Sequence, residues 1–247
     1  MTLSVIIIAK NEADAIGSCL DSVAWADERI VLDGGSTDGT AALARERGAR
    51  VEIATDWPGF GPQKNRALDL AHGDWVLSLD ADEQVSPTLR AEIEAAMGNS
   101  GAAPAYRMPR ASRYCGKVLR HGGWWPDYVV RLFRRGSARF SEDLVHERLV
   151  CDGPVGTLNH PLQHDTYATL EEALEKANRY STLGAMQAFE RGERAGLFQA
   201  SLHGAWAFFR TYVMRRGFLD GGHGLLLAVS NAQSTFYRYA KLWLKRR

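Results

Sequence analysis

The first hundred residues alternate short apolar runs with longer stretches in which apolar and polar residues recur at helical spacing. The apolar runs are rich in β-branched residues and lack polar alternation, as expected of strands buried on both faces. They are LSVIIIA (3–9), RIVL (29–32), RVEIA (50–54) and WVLSL (75–79). The stretches EADAIGSCLDSVAW, TAALARERG and QKNRALDLAHG lie between them and are typical of helices. This alternation predicts a parallel sheet with right-handed crossovers, in which ligands bind at the carboxyl ends of the strands.

The pattern changes twice beyond this region. SPTLRAEIEAAMG predicts a helix with Ser86 as N-cap and Pro87 in its first turn. Residues 106–161 are aromatic, rich in arginine and punctuated by glycine, which predicts mixed strands and long loops. From about Thr169 the chain is helical again. We therefore predict an α/β fold, with a mostly parallel sheet flanked by helices and a C-terminal helical extension.

Composition narrows the class of protein. The 247 residues are 45% hydrophobic, enough for one domain with a full core or a large domain with a helical annex. A net charge of +1 argues against a nucleic-acid partner. Cys19, Cys115 and Cys151 lack metal-ligand spacing and indicate packing residues in a reducing compartment. The N-terminal apolar run is too short for a signal sequence, and no segment reaches the roughly 18 apolar residues of a membrane span, so we expect a cytoplasmic protein.

Two carboxylates follow the fourth predicted strand, in the segment LSLDADEQ. Hard oxygen ligands select Mg²⁺ or Mn²⁺, so Asp82 could bind a cation directly while Asp80 reaches a sugar hydroxyl or a metal-bound water. A calcium loop that starts at Asp80 is excluded, because its sixth and twelfth positions hold Val85 and Ala91 instead of Gly and Glu. A solvated acidic turn before the next helix remains an alternative.

The ends of the first two predicted strands are also polar. Strand one ends in AKNE and strand two in LDGGSTDGT, whose glycines permit a close approach of the backbone to a ligand. Asp33 could pair with a base edge or a ribose. An ordinary turn with a helix N-cap is the alternative for this segment. Three polar strand ends together favour a nucleotide site.

The segments VIIIAKNE, LDGGSTDGT, GPQKNRAL and LSLDADE, in this order, resemble the family 2 glycosyltransferases. These are inverting enzymes with a GT-A fold that use nucleotide-diphospho-sugars. DYVVRLFRR, DLVHERL and the terminal GFLDGGHGLLLAVSNAQSTFYRYAKLW are similar to bacterial lipopolysaccharide core glycosyltransferases that add glucose to an inner-core heptose. The resemblance implies a catalytic domain over 1–165, with a nucleotide-sugar half at about 1–100 and an acceptor half at about 101–165, and a helical extension over 166–247.

The resemblance also implies roles for single residues. Asp33 would contact uracil, Lys64 and Asn65 would approach the nucleotide and ribose, and Arg131 would reach the diphosphate. Asp80 and Asp82 match the DXD motif, whose second carboxylate holds Mg²⁺ or Mn²⁺ against the diphosphate. The implied donor-binding residues are Ala9, Asn11, Glu12, Asp33, Lys64, Asn65, Asp80 and Arg131.

Inversion requires a base that takes the proton of the attacking hydroxyl. FSEDLVHERL offers Glu142 and Asp143, which match an acidic pair of the family, and Asp143 is the first choice. Glu147 is its rival, and His146 could contact the metal or a phosphate. A solvated loop is the alternative for all four residues.

The implied reaction is transfer of one sugar, glucose from UDP, to a lipopolysaccharide core or another lipid-linked acceptor of the cell envelope. The QxxRW signature of processive synthases is absent, which favours a single transfer. Trp124 and Trp125 could stack on a sugar or belong to the core. The alternatives are a nucleotidyltransferase, disfavoured because no glycine-rich loop follows strand one, a catalytically silent nucleotide-sugar-binding partner, and a glycosyltransferase of another glycan pathway.

Two C-terminal segments, FFRTYVMRRG and FYRYAKLWLKRR, combine aromatic and aliphatic residues with arginine and lysine, and an apolar stripe runs along the last predicted helix. This pattern fits a helix that lies on anionic lipid at the inner face of the cytoplasmic membrane. Packing of the stripe on the rest of the protein is the alternative. The stripe is Leu225, Val229, Phe236, Tyr239, Leu242 and Trp243, beside Arg238, Lys241, Lys245, Arg246 and Arg247.

Overall fold

The computed structural model describes residues 1–141 and 148–245. The chain divides into two compact units, which we call the sheet unit (1–110 and 127–164) and the helical unit (111–126 and 165–247). Residues 111–126, which the resemblance places in the catalytic domain, group with the helical unit.

Short strands and longer helices make up the two units. The strands are β1 (Leu3–Ala9), β2 (Glu28–Asp33), β3 (Arg50–Ile53), β4 (Trp75–Asp80), β5 (Glu83–Gln84), β6 (Ala105–Tyr114), β7 (Lys117–Val118), β8 (Tyr128–Arg134), β9 (Ala138–Phe140), β10 (Leu149–Cys151), β11 (Val155–Thr157) and β12 (Leu162–Tyr167). The helices are α1 (Ala13–Ser22), α2 (Thr40–Glu46), α3 (Phe60–Asp69), α4 (Pro87–Gly98), α5 (Leu170–Glu190), α6 (Leu197–Phe209) and α7 (Gly222–Leu244). A π-helical turn (Arg210–Met214) continues α6, and a 3-10 turn (Gly217–Asp220) precedes α7.

The sheet unit contains the predicted parallel sheet. Strands β3, β2, β1 and β4 lie side by side in that order and are parallel. β8 continues the sheet antiparallel to β4, and β6 is antiparallel to β8, so the second half of the sheet is mixed. The four strands and four helices predicted before residue 100 are confirmed, including Ser86, whose hydroxyl accepts the N–H of Leu89 at the start of α4.

The sheet is buried on both faces, as its uninterrupted apolar runs predict. In β1, Val5 and Ile7 pack with α1 and α4, whereas Ile6 and Ile8 pack with α3. Cys19 is buried in the same apolar cluster as Val5 and Ile7, and burial raises the pKa of its thiol. It is therefore a packing residue. Because a helical layer covers each face, the carboxyl edge of the sheet is where polar side chains collect.

In the helical unit, α7 packs against both α5 and α6. The approach is close at Gly204, where a Cβ would lie 3.2 Å from the Cβ of Phe236, and a Cβ at Gly224 would overlap the carbonyl oxygen of Gly217. Leu242 is buried with the alanines of α5, whereas Leu225 and Val229 are exposed. The predicted C-terminal stripe is therefore partly internal. No helix within residues 1–141 and 148–245 is long and apolar enough to cross a membrane.

Candidate active site

The carboxyl edge of the parallel sheet brings the predicted polar strand ends together. β1 lies between β2 and β4, with Ala9 opposite Asp33 and Ile8 opposite Asp80. Since adjacent strands lie about 4.8 Å apart, the backbones at Asp33 and Asp80 are about 10 Å apart across β1. A nucleotide that binds across this edge could reach both carboxylates.

The loops after β1 and β2 are joined by side chains that bond to backbone N–H groups. Asn11 has a positive φ of 58°; its N–H donates to Ser36 Oγ (2.9 Å), and its Oδ1 accepts the N–H of Thr37 (2.8 Å). The N–H of Glu12 donates to Thr40 Oγ1 (2.8 Å). The predicted pocket residues Asn11 and Glu12 thus lie at this edge, where they shape the loop that contains the glycines.

Asp33 has one satisfied and one unsatisfied carboxylate oxygen. Its Oδ1 accepts the N–H groups of Gly35 (2.8 Å) and Ser36 (2.7 Å), and position 35 requires glycine for its φ of 82°. Its Oδ2 is buried and has no hydrogen-bond partner among the described residues. An unsatisfied buried acceptor costs about 1–3 kcal/mol, so a ligand N–H at this oxygen would be strongly favoured.

The cation that balances the acidic cluster is supplied by the protein. Arg131 is buried, and its Nη2 donates to Asp80 Oδ2 and to Glu83 Oε1, the latter at 2.6 Å. Lys64 Nζ lies 2.9 Å from Asp80 Oδ1. The N–H of Asp80 donates to Glu83 Oε2 (3.0 Å), which locks the turn after β4. The sequence prediction gave Glu83 no direct role; in the structure it is fully buried and holds Arg131 in place.

Charge on these groups follows from their neighbours. Burial would raise the pKa of Asp80, but Arg131 and Lys64 outweigh it and hold that pKa well below the usual range. Burial raises the pKa of Glu83, and Arg131 opposes that shift. Burial would lower the pKa of Arg131, but the two carboxylates raise it further above its usual value. Asp80 is therefore ionised, and Arg131 uses its Nη2 on protein carboxylates.

Asp82 pairs with a histidine that the sequence prediction missed. Its Oδ2 lies 3.2 Å from His164 Nε2, and its side chain is 29% exposed. Antiparallel pairing of β5 with β12 sets His164 opposite Glu83, next to Asp82. Nothing in the local pattern around His164 signals this pairing, because the register of two distant strands determines it.

The Asp82–His164 pair fits one divalent cation. A carboxylate oxygen and an imidazole nitrogen suit Mn²⁺, and the carboxylate suits Mg²⁺. Within residues 1–141 and 148–245, no cluster of three or more His, Cys, Asp or Glu side chains could hold a metal. A cation held by this pair would have coordination positions available for phosphate and water oxygens.

Two of the other predicted residues, Asn65 and Trp124, make contacts with neighbouring residues of the fold. Asn65 uses both ends of its amide on the backbone of Phe140, with Nδ2 donating to the carbonyl (2.9 Å) and Oδ1 accepting the N–H (3.0 Å). The ring of Trp124 packs edge-on against Tyr114 in the helical unit. The candidate base and metal residues Glu142, Asp143, His146 and Glu147 lie outside the described residues.

Comparisons with known proteins define the class. A family model described as Glycosyl transferase family 2 matches residues 4–128. The lipopolysaccharide core biosynthesis glycosyltransferase LpsC of Rhizobium meliloti (strain 1021) is 31% identical over 254 residues, which cover 98% of this chain and 92% of that protein. An uncharacterized glycosyltransferase of Rickettsia felis is 31% identical over 258 residues, with 97% and 89% covered. The chain belongs to glycosyltransferase family 2. Its fold is of the predicted α/β class, with helices that flank the sheet and a C-terminal helical region.

Solved structures give a partial match. A crystal structure of glucosyl-3-phosphoglycerate synthase from Mycobacterium tuberculosis, in complex with Mn²⁺, uridine diphosphate and glucosyl-3-phosphoglycerate, is 31% identical to this chain. The match covers 45% of this chain and 44% of that one, with a TM-score of 0.38.

Proposed function

We propose that the protein transfers one glucose from UDP-glucose to a lipopolysaccharide core or another lipid-linked acceptor of the cell envelope, with inversion and with the help of a divalent cation. The observation that carries the proposal is the edge of the sheet, where the unsatisfied oxygen of Asp33 and the Asp82–His164 pair lie on either side of β1. The similarity to LpsC supports a cell-envelope acceptor. The reaction would take place on the cytoplasmic side of the membrane.

Each residue of the site has a proposed role that follows from its chemistry. Asp33 Oδ2 would accept an N–H of the uracil, which satisfies the buried oxygen and favours a base with a donor at that edge. Asp82 and His164 would hold Mg²⁺ or Mn²⁺, and such a cation, when bound, stabilises the negative charge that develops on the departing diphosphate. Asp80, kept ionised by Arg131 and Lys64, sets the turn that presents Asp82.

An inverting transfer also requires a catalytic base, and a carboxylate can serve as that base. Asp143 would take the proton of the acceptor hydroxyl on the face of the sugar opposite the leaving group, with Glu142 and Glu147 as the alternatives. Loss of transfer with retained binding of UDP in one of the variants Asp143→Ala, Glu142→Ala and Glu147→Ala would identify the base.

The metal and nucleotide parts of the proposal are tested together by UDP binding. In the wild type, UDP with Mn²⁺ should raise the melting temperature, and chelator should abolish most of that shift. Asp82→Ala and His164→Ala should each lose the chelator-sensitive part of the shift and most of the glucose transfer. His72→Ala is the matched control, because His72 also pairs with a carboxylate, that of Glu28 at 2.9 Å, but adjoins the amino end of β4.

The outcomes separate the competing functions. Full transfer by Asp82→Ala in the presence of chelator would contradict the role of the metal. Metal-dependent UDP binding without transfer to any lipid-linked acceptor would favour the silent nucleotide-sugar-binding partner.

A further inference from the structure

The surface of α6 presents a continuous row of large apolar side chains. The row, which we call the α6 face, runs along α6 and its π-helical continuation and consists of Phe198, Leu202, Trp206, Phe209 and Val213. Phe198 is 78% exposed, and the other four are 45–56% exposed. Single exposed apolar residues are normal, but a row at helical spacing marks a surface that contacts something else.

The opposite side of α6 is packed against the protein. The exposed row therefore does not result from a lack of packing partners for this helix. That side consists of small residues, Ala200, Gly204 and Ala207, which are buried, and a Cβ at Gly204 would lie 3.3 Å from the carbonyl oxygen of Ala232 on α7. A helix of a soluble protein ordinarily buries its large apolar side chains and exposes its small or polar ones. In α6 this arrangement is reversed.

Charge identifies the kind of partner. Residues 195–247 contain eight basic residues and one acidic residue, Asp220, a net charge of +7 in a chain whose total is +1. Asp220 is itself buried, and its carboxylate accepts the backbone N–H of His121 at 2.8 Å. Arg210, Arg215 and Arg216, which lie beside or just beyond the α6 face, are exposed. A second copy of the chain would set this positive surface against another of the same sign.

We propose that the α6 face is a docking surface for the headgroup region of an anionic lipid bilayer. Aromatic and aliphatic side chains would enter the boundary between headgroups and acyl chains, and the arginines would contact lipid phosphates. Apolar burial combined with a basic patch gives the two signals that stable peripheral binding requires. This surface overlaps the predicted one at FFRTYVMRRG (208–217), extends along the exposed side of α6, and leaves out the partly internal end of α7. The proposal does not depend on the transfer reaction, because it concerns binding alone.

The experiment is cosedimentation of the full chain with two kinds of vesicle. One kind is phosphatidylcholine alone, and the other contains about 30% phosphatidylglycerol, which gives it an anionic surface like that of a cytoplasmic leaflet. The wild type should bind the anionic vesicles at least about ten-fold more strongly than the neutral ones, since each arginine near the surface adds to the attraction. Phe198→Ser/Trp206→Ser should lower binding to the anionic vesicles by about ten-fold or more.

Two further variants make the result specific. Arg210→Gln/Arg216→Gln changes exposed side chains only and should lower the binding to anionic vesicles by about ten-fold while leaving the weak binding to neutral vesicles unchanged. Leu183→Ser is the matched control, because Leu183 is nearly as exposed as Trp206 but lies on α5. It should bind like the wild type.

Several results would overturn the proposal. One is equal sedimentation of the wild type and Phe198→Ser/Trp206→Ser with anionic vesicles. Another is a loss of binding in Leu183→Ser as large as that in the α6 variants. A third is a wild type that is dimeric in light scattering, binds no vesicles and becomes monomeric through Phe198→Ser/Trp206→Ser, which would assign the face to a second copy of the chain.

Discussion

Replacement of Arg131 by methionine tests whether this arginine serves the protein or the diphosphate. Its Nη2 joins Asp80 and Glu83, so the variant Arg131→Met leaves two carboxylates without their shared cation. Asp80 keeps Lys64 at 2.9 Å, whereas the nearest remaining cation to Glu83 is Arg110, at 3.6 Å. The loss therefore falls mainly on Glu83, which is fully buried.

The magnitude follows from what Glu83 can do in the variant. It either stays charged without a close partner or takes up a proton. From its ordinary pKa of 4.5, protonation at pH 7.5 costs three pH units, about 4 kcal/mol, which is a ceiling for the charge contribution. Loss of one partner from a buried ion pair typically costs about 3–5 kcal/mol. We expect Arg131→Met to lose about 3–4 kcal/mol of unfolding free energy at pH 7.5.

The pH dependence has a definite sign. A carboxyl group whose pKa is higher in the folded than in the unfolded state favours folding most at low pH, and this stabilisation is lost as the pH rises. The deficit of Arg131→Met should therefore be smaller at pH 5.5 than at pH 7.5. The double variant Arg131→Met/Glu83→Gln removes the unpaired charge and should recover about 2 kcal/mol at pH 7.5.

Urea unfolding, followed by circular dichroism at both pH values, measures these differences. Arg139→Met is the matched control, because Arg139 forms an exposed ion pair with Asp69 at 3.0 Å and should contribute less than about 1 kcal/mol. The reasoning fails if Arg131→Met unfolds within about 1 kcal/mol of the wild type while its affinity for UDP falls. That result would assign Arg131 to the diphosphate, the role that the sequence resemblance implies.

Two other predictions concern residues that support the site. Asn65→Ala removes both hydrogen bonds to the backbone of Phe140 and should cost about 2 kcal/mol in urea unfolding; unchanged stability with weaker UDP binding would instead support the predicted ribose contact. Burial would raise the pKa of Glu92, but the backbone N–H groups of His160 and Asn159 outweigh it and lower that pKa. The stabilisation by Glu92 is therefore present above its ordinary pKa of 4.5 and is lost as the pH falls below it. Glu92→Gln should lower the free energy of unfolding by about 1 kcal/mol at pH 7, and this deficit should disappear in acid. An equal deficit at pH 7 and pH 3.5 would contradict this.

The sheet half of the fold was predictable because its signals are local. Each of the strands β1 to β4 is an apolar run bounded by turn residues, and Ser86 with Pro87 marks the start of α4. Parallel strands place their carboxyl ends at one edge, so the closeness of Asp33 and Asp80 to the end of β1 followed without any knowledge of long-range contacts. The site residues that the sequence prediction missed are those that depend on pairing between distant strands.

The partner of Glu83 and the presence of His164 in the site show why such contacts were not predicted. Glu83 meets Arg131 across 48 positions of sequence because β8 lies next to β4, and His164 meets Asp82 because β12 pairs with β5 in one particular register. A shift of one residue in either pairing would turn the side chains to the other face, and no short motif records that register. Local motifs therefore located the carboxylates, and strand pairing supplied the side chains that contact them.

The α6 face illustrates a second reason why parts of the structure could not be predicted from the sequence. Helical periodicity identifies an apolar stripe but does not say what covers it, and the usual assumption is that the larger side chains face the core. α6 departs from that assumption because Gly204 and its small neighbours allow α7 to approach closely, which leaves Phe198 and Trp206 outside. Close packing through small residues and exposure of large residues are thus two consequences of one sequence pattern. Substitutions on the two sides of α6 should separate these consequences. A larger residue at Gly204 should lower the stability of the protein, whereas serine at Phe198 should lower membrane binding alone.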